Sequence, residues 1–217
     1  GHHPVVLDGG TASWCLVPAL TQAGLRTFII DVPRGAPAPS WDPSRQLARL
    51  VLDEDPAEPI GPDEDHTAAW RRIVDDCTVA VCAELVGSME RAYEVAVDYA
   101  NTRVQFDRPI ATFQVIKHKL ADCLHRLELS RVGTHYAAWA ADAESDDRAR
   151  AAAMAGGYVA GSAIWVSAEC IQIHGGVGFS WDCEAHWHYR KAKQADLLLG
   201  AQGWHRSRLA DLVLSNQ

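Results

Sequence analysis

The stretch Arg103-Val104-Gln105-Phe106-Asp107-Arg108-Pro109-Ile110-Ala111-Thr112-Phe113-Gln114 separates two long segments of helical periodicity. Before it, Trp70, Ile73, Val74, Cys77, Val81, Leu85 and Met89 recur at steps of three and four, which predicts a helix from about Thr67 to Ala100. After it, Ile116, Leu120, Leu124, Leu127 and Val132 predict a second helix to about Ala141, and Pro109 keeps that helix from starting earlier. Ser145 with Asp146 and Asp147 supplies a capping signal for a third, running through Ile164 and Val166 to Ile171. A fourth covers His186 to Leu214, broken near Gly200 to Gly203. Four helices of similar length with short connections bury their apolar stripes most cheaply as an antiparallel bundle. Helices this long also leave faces to be covered, so self-association or a partner subunit is expected.

Upstream the texture changes. Val5-Val6-Leu7, Cys15-Leu16-Val17, Thr27-Phe28-Ile29-Ile30 and Leu47 to Leu52 are short apolar runs, with turns expected at Gly9-Gly10, Gly24 and Pro33 to Pro39. They predict a small β region, incomplete by itself. Gly1-His2-His3 looks like a tag remnant and is set aside. From Pro56 to Asp65, three prolines, one glycine and several acids predict a boundary loop that forms neither helix nor core strand. A solvated surface and an acidic docking segment are both compatible with it.

The 217 residues carry 20 Lys and Arg against 28 Asp and Glu, a net charge of −8. Seven of those acids lie between Asp53 and Asp65, and the rest of the chain stands at −1. A nucleic-acid binder would show a basic stripe instead. With 48% hydrophobic and 22% charged residues the chain is too apolar to be disordered, and no apolar run is expected to reach the ~18–20 residues of a membrane span. Six scattered cysteines without a C-x-x-C pair fit a reduced, cytoplasmic setting.

Chemistry is expected at two places. Free backbone N–H groups at the start of the second helix, beside Arg103 and Arg108, suit a phosphate or pyrophosphate, and Phe106 and Phe113 could wall an aromatic ring system. A solvated arginine pair with two core phenylalanines is the structural alternative. The second place is Gln172-Ile173-His174-Gly175-Gly176-Val177-Gly178-Phe179. It follows a helix rather than a strand, which excludes a dinucleotide-binding Rossmann fingerprint. Its glycines suit either a helix C-cap or close backbone approach to a ligand. His186 and His188 fall on different sides of a helix, and His118 and His125 lack acidic or cysteine company, so no metal site is expected. Neither a G-x-S-x-G elbow nor a P-loop lysine is present in the sequence.

In these two motifs the chain resembles the acyl-CoA dehydrogenase family, whose carboxy-terminal half carries R-x-x-F-x-[KR]-P-[IL]-x-x-F-Q and then Q-x-x-G-G-x-G-F. The likeness covers nearly all of residues 4–217. It implies an α+β, mainly α fold: part of the middle β domain and an acidic linker over 4–66, then a four-helix FAD and oligomerisation domain over 67–217. It also implies that both motifs reach across a subunit interface to FAD held mainly by a neighbouring chain. Arg103 would meet the pyrophosphate, and Gln105, Phe106, Ile110, Phe113 and Gln114 would surround the adenine end. Gln172 and the backbone at Gly175-Gly176 would contact the same cofactor. Asp107 stands where the family usually has glycine.

The departures bear on mechanism. The family's α,β-dehydrogenation of an acyl-CoA thioester needs a carboxylate base to take the α-proton while a hydride passes to the flavin. The usual glutamate precedes Gly-Thr, and Leu199-Gly200-Ala201 stands there; the alternative position aligns with Cys77. Asp75 and Asp76 are adjacent but rotated by about 100° per residue on the helix, and Asp182 and Glu184 would need an unusual loop. No catalytic residue is therefore assigned. The family's amino-terminal helical domain and first β-domain strands are missing from the stretch. His174 and Phe179-Ser180-Trp181 ahead of Ala185-His186 resemble bacterial α2β2 members of steroid side-chain (cholesterol) degradation, in which one subunit keeps the base and the other has lost it. The resemblance thus implies a homologous partner subunit, an acyl-CoA substrate and an electron-transfer flavoprotein as acceptor. Its alternatives are a flavin-free structural or regulatory paralogue, or a homotetrameric dehydrogenase with a displaced base.

Overall fold

The computed structural model describes residues 2–32, 36–52, 56–198 and 200–214, and the chain divides into two compact units, Gly1–Ile73 and Val74–Gln217. In the first unit, β1 (His2–Leu7), β4 (Ala36–Ala38) and β5 (Leu47–Val51) form one antiparallel sheet in the order β1-β5-β4. β2 (Trp14–Thr21), β3 (Gly24–Asp31) and β6 (Ala57–Ile60) form another, in the order β2-β3-β6. Ile30, Leu47, Ala48 and Leu50 are buried, and strand alternation puts Ala48 and Leu50 on one face of β5 and Leu47 on the other.

Three expectations for this unit are corrected. His2 and His3, set aside as a tag remnant, pair with Val51 and Leu50, because ladder hydrogen bonds need only backbone. Ala57–Ile60, expected as loop, pairs with Thr27–Ile30 as a fully exposed edge strand, the position in a sheet where a proline such as Pro59 is tolerated. Ala36–Ala38, within the turn expected at Pro33 to Pro39, is strand β4 paired with β5, while Pro33, Arg34 and Gly35, like Asp53, Glu54 and Asp55 of the acid cluster, lie outside the described residues.

The helical unit is built from α1 (Thr67–Thr102), α2 (Gln114–Asp142), α3 (Arg148–His174), α4 (Ala185–Leu198) and α5 (Ala201–Leu214). The expected fourth helix is thus two helices, and Gly200, at φ +97°, takes the left-handed conformation that ends a helix cheaply. Start signals were less accurate. Pro109 precedes a 3-10 turn, Ile110–Thr112, and α2 itself opens only at Gln114. The capping signal expected before α3 does not cap it by side chain: Asp147 stands at the N-cap without a side-chain cap hydrogen bond, and the Ser145 hydroxyl accepts the Asp147 N–H at 3.2 Å in the turn ahead of the helix. The Asp147 carboxylate instead accepts from Tyr136 and Arg150.

α3 is the central helix, and Ala151, Ala152, Ala153, Ala155, Gly156 and Gly157 are all buried along it. Arg148–Phe179 is long and apolar enough to cross a membrane by length and composition, with an 18-residue window of mean hydropathy 1.2, contrary to the expectation that no segment would be. Its small side chains let neighbouring helices approach, and 67% of the apolar window is buried inside the protein. One apolar cluster joins Leu85 and Met89 of α1 to Leu127 of α2 and Val159 and Val166 of α3. A second joins Ala96 and Ala100 to Ile171, Ile173 and Ala185. All six cysteines are free thiols, and burial pushes those of Cys82, Cys123 and Cys170 up to about 12.

Candidate functional site

The Arg103–Gln114 stretch folds as a small hairpin and turn. The α1 helix closes with the Arg103 N–H donating to the Tyr99 carbonyl at 2.8 Å, and the Arg103 carbonyl accepts from Ile110 at 2.9 Å. Between them β7 (Val104–Gln105) pairs with β8 (Arg108–Pro109). Phe106 and Asp107 form the two-residue tip, with φ of 52° and 62°. Positive φ at both tip residues is the geometry of a type I′ turn, which asks for glycine or asparagine at those positions. A phenylalanine held there costs about 1–2 kcal/mol of backbone strain. Its side chain is also 86% exposed, the reverse of the core position that the structural alternative gave it.

Phe113 is half-buried beneath this tip. The Arg108 guanidinium lies 4.2 Å above its ring, and Phe106 meets it edge-on at 6.1 Å. Arg103 is exposed, as are Gln105 and Gln114. Gln105 donates to its neighbour's carbonyl, Val104, at 2.8 Å, and Ile110 packs into the cluster around Ala100 and Ile171. The free N–H groups are not where the sequence put them. Ile110 N–H is already used by Arg103, and the helix start proper lies at Gln114, at the far side of the 3-10 turn.

The second motif ends α3. Gly175 caps the helix at φ 62°, ψ −140°, donating to the Gln172 carbonyl, and a 3-10 turn follows over Gly175–Phe179. The glycines divide by role. A Cβ on Gly178 would lie 2.8 Å from the Ile171 carbonyl oxygen, so Gly178 is there for packing. A Cβ on Gly175 or Gly176 would meet nothing within 4 Å, which leaves that backbone face open to a ligand. Gln172 is exposed, and His174 is buried, donating from Nδ1 to the Cys170 carbonyl at 2.7 Å and stacking on Tyr99 at 4.3 Å. Ile110, Ala100, Ile171 and Ile173 share one cluster, so both motifs emerge from the same end of the bundle. An exposed guanidinium, an exposed aromatic ring and an open glycine backbone fit the pyrophosphate and adenine end of FAD.

Of the carboxylates weighed as a substitute base, Asp182 is exposed on the segment before α4, and the other three are engaged with arginines. Asp75, whose side chain is 4% exposed, lies 2.5 Å from Arg208, and Asp76 pairs with Arg148. Cys77, which directly follows these two aspartates on α1, is exposed. Leu199, where the usual glutamate would stand, lies outside the described residues. Glu184 accepts two hydrogen bonds from Arg91, at 2.7 and 3.3 Å. Among the described residues a cavity of about 20 Å³ beside Thr78, Cys82 and His205 holds one water at most, not an acyl chain.

Glu184 belongs to a network with no local signature along the chain. His188 is hydrogen-bonded through Nδ1 to Ser88 at 2.9 Å, and its Nε2 lies 3.8 Å from Glu184. Serine, histidine and glutamate in a row resemble a hydrolytic triad, but the geometry does not support one. Arg91 holds the glutamate from both oxygens, and Ser88 sits inside a helix whose N–H groups are spent on the helix itself, leaving no oxyanion donors. Ser88 and His188 are 100 residues apart, so no local pattern could have linked them.

These features define a helical bundle domain, and comparison with known proteins gives its family. The family profile "Acyl-CoA dehydrogenase, C-terminal domain" matches residues 75–214, and the chain belongs to the acyl-CoA dehydrogenase family. It is 34% identical to the acyl-CoA dehydrogenase IpdE2 of Mycobacterium tuberculosis, over 75% of this chain and 46% of that protein. Butyryl-CoA dehydrogenase from Megasphaera elsdenii superposes with a TM-score of 0.91 at 26% identity, covering 99% of this chain and 59% of that one. The Tcur3481-Tcur3483 steroid ACAD superposes at 0.90 with 29% identity, covering 100% of this chain and 59% of that one. The chain therefore spans about half the length of the relatives it matches.

Proposed function

We propose that this chain is the carboxy-terminal part of a subunit of a FAD-dependent acyl-CoA dehydrogenase, one that lacks the catalytic base and completes the flavin site of a homologous partner subunit. The observation that carries the reading is the pairing of exposed Arg103 with the open Gly175-Gly176 backbone at one end of the bundle, while no carboxylate stands at Cys77. Arg103 would neutralise the pyrophosphate, Phe106 and Phe113 would flank the adenine end with Gln105, Ile110 and Gln114, and Gln172 would act with the glycine backbone. When bound, FAD supplies the hydride acceptor for α,β-dehydrogenation. The α-proton would be taken by a base on the partner, because Asp75, Asp76 and Glu184 are held by arginines.

Likeness to a steroid acyl-CoA dehydrogenase favours a steroid side-chain thioester as substrate and an α2β2 assembly, with electrons leaving to an electron-transfer flavoprotein. The test is to express the full-length gene with its genomic neighbours, tag this subunit alone, and record what co-purifies and its visible spectrum. A yellow complex containing a second, glutamate-bearing homologue supports the reading. A colourless protein purifying alone contradicts it in favour of a flavin-free paralogue.

A further inference from the structure

The segment from Gly175 to Glu184 joins α3 to α4 and carries the exposed side chains of Phe179 and Trp181. Its backbone hydrogen bonds are local, from Ser180 to Val177 and from Cys183 to Ser180. Among the described residues, the side-chain hydrogen bonds that tie Ser180–Glu184 to a distant helix are those between Glu184 and Arg91 of α1. The pairing is two-pronged, and each partner responds to it: Arg91 holds the Glu184 carboxyl below the usual carboxylate range, and Glu184 raises Arg91. His188 supports the same carboxylate from α4 while Ser88, one turn before Arg91, holds the other side of its imidazole. Both residues of the pair are about half exposed, so it adds little to global stability. A weak tie at the end of an otherwise locally bonded segment acts instead on the shape of that segment.

We propose that Arg91 and Glu184, backed by His188 and Ser88, are positioning residues that hold the glycine-rich segment in the shape that receives the flavin. This rests on the flavin reading given above. In this role neither residue would touch the cofactor; they act through the backbone between Gly175 and Cys183.

The experiment uses the full-length subunit assembled with its partner, as wild type, Arg91→Gln, Glu184→Gln and the exchanged pair Arg91→Glu with Glu184→Arg. Hydrogen exchange of peptides covering residues 176–184 and the FAD dissociation constant are both measured. Each single variant is expected to speed exchange in that segment and weaken FAD binding about five-fold, with the exchanged pair recovering both. Unchanged exchange in the single variants overturns the clamp. Faster exchange with unaltered FAD affinity overturns its positioning role if Arg103→Ala still weakens FAD. If Arg103→Ala leaves FAD binding unaltered as well, the flavin reading itself has failed and takes the proposal with it.

Discussion

The carboxylate of Asp75 lies 2.5 Å from the guanidinium of Arg208, locking α1 to α5 through an aspartate that is 4% exposed. The charge nearest to Cys77 in sequence on its amino-terminal side but one is therefore a structural tie. Replacing Arg208 by Met would strand a buried carboxylate, and the expected loss is about 3 kcal/mol in chemical denaturation. A loss below about 1 kcal/mol would show that Asp75 is satisfied without Arg208 and free for other chemistry.

Arg103→Ala should leave the unfolding midpoint of the subunit unchanged, because the side chain is exposed at the end of α1. Flavin retention in the assembled complex should fall about ten-fold or more, since a pyrophosphate would lose a charge-assisted hydrogen bond. Equal flavin content in both proteins contradicts the role given to Arg103.

Gly175 and Gly176 separate folding from binding. Gly175→Ala places a side chain at φ 62°, ψ −140° and should cost about 1–3 kcal/mol of stability as well as flavin. Gly176 has an ordinary φ and open space around it, so Gly176→Ala should fold normally and lose flavin alone. Paired thermal melts and flavin titrations check both, and a Gly176→Ala complex with full flavin would remove that backbone from the site.

Burial holds His188 below the ordinary imidazole value of 6.5, with Arg91 and Lys191 pushing the same way and Glu184 opposing them. Above pH 6.5 the imidazole is neutral in folded and unfolded chains alike. As pH falls below that value the unfolded chain takes up the proton first, so stability declines until the lowered folded value is passed. His188→Asn should flatten the dependence of the unfolding midpoint on pH just below 6.5. An unaltered slope would mean that His188 is not the group titrating there.

Much of the helical unit was legible because its signals are local. Steps of three and four in α1, the glycine break after α4 and the two motifs each sit within a few turns of chain. The helix starts were less so, since Pro109 ends a short strand just before a 3-10 turn and does not open α2, and a proline's fixed φ suits either place. The edge strand Ala57–Ile60 escaped notice because it forms only against β3, some thirty residues away, and buries nothing that would mark its sequence. At the site, residue identities were readable but not the strained exposure of Phe106, and the Arg91–Glu184 contact spans 93 residues. Such contacts belong to tertiary structure and leave no pattern along the chain.

The most direct test is anaerobic mixing of an acyl-CoA with the full-length subunit alone and with its assembled complex, following loss of flavin absorbance. Bleaching is expected in the complex alone, and Cys77→Glu in this subunit should not confer it on the isolated protein. Bleaching and turnover by the isolated wild-type subunit would contradict the shared site and point to a base of its own.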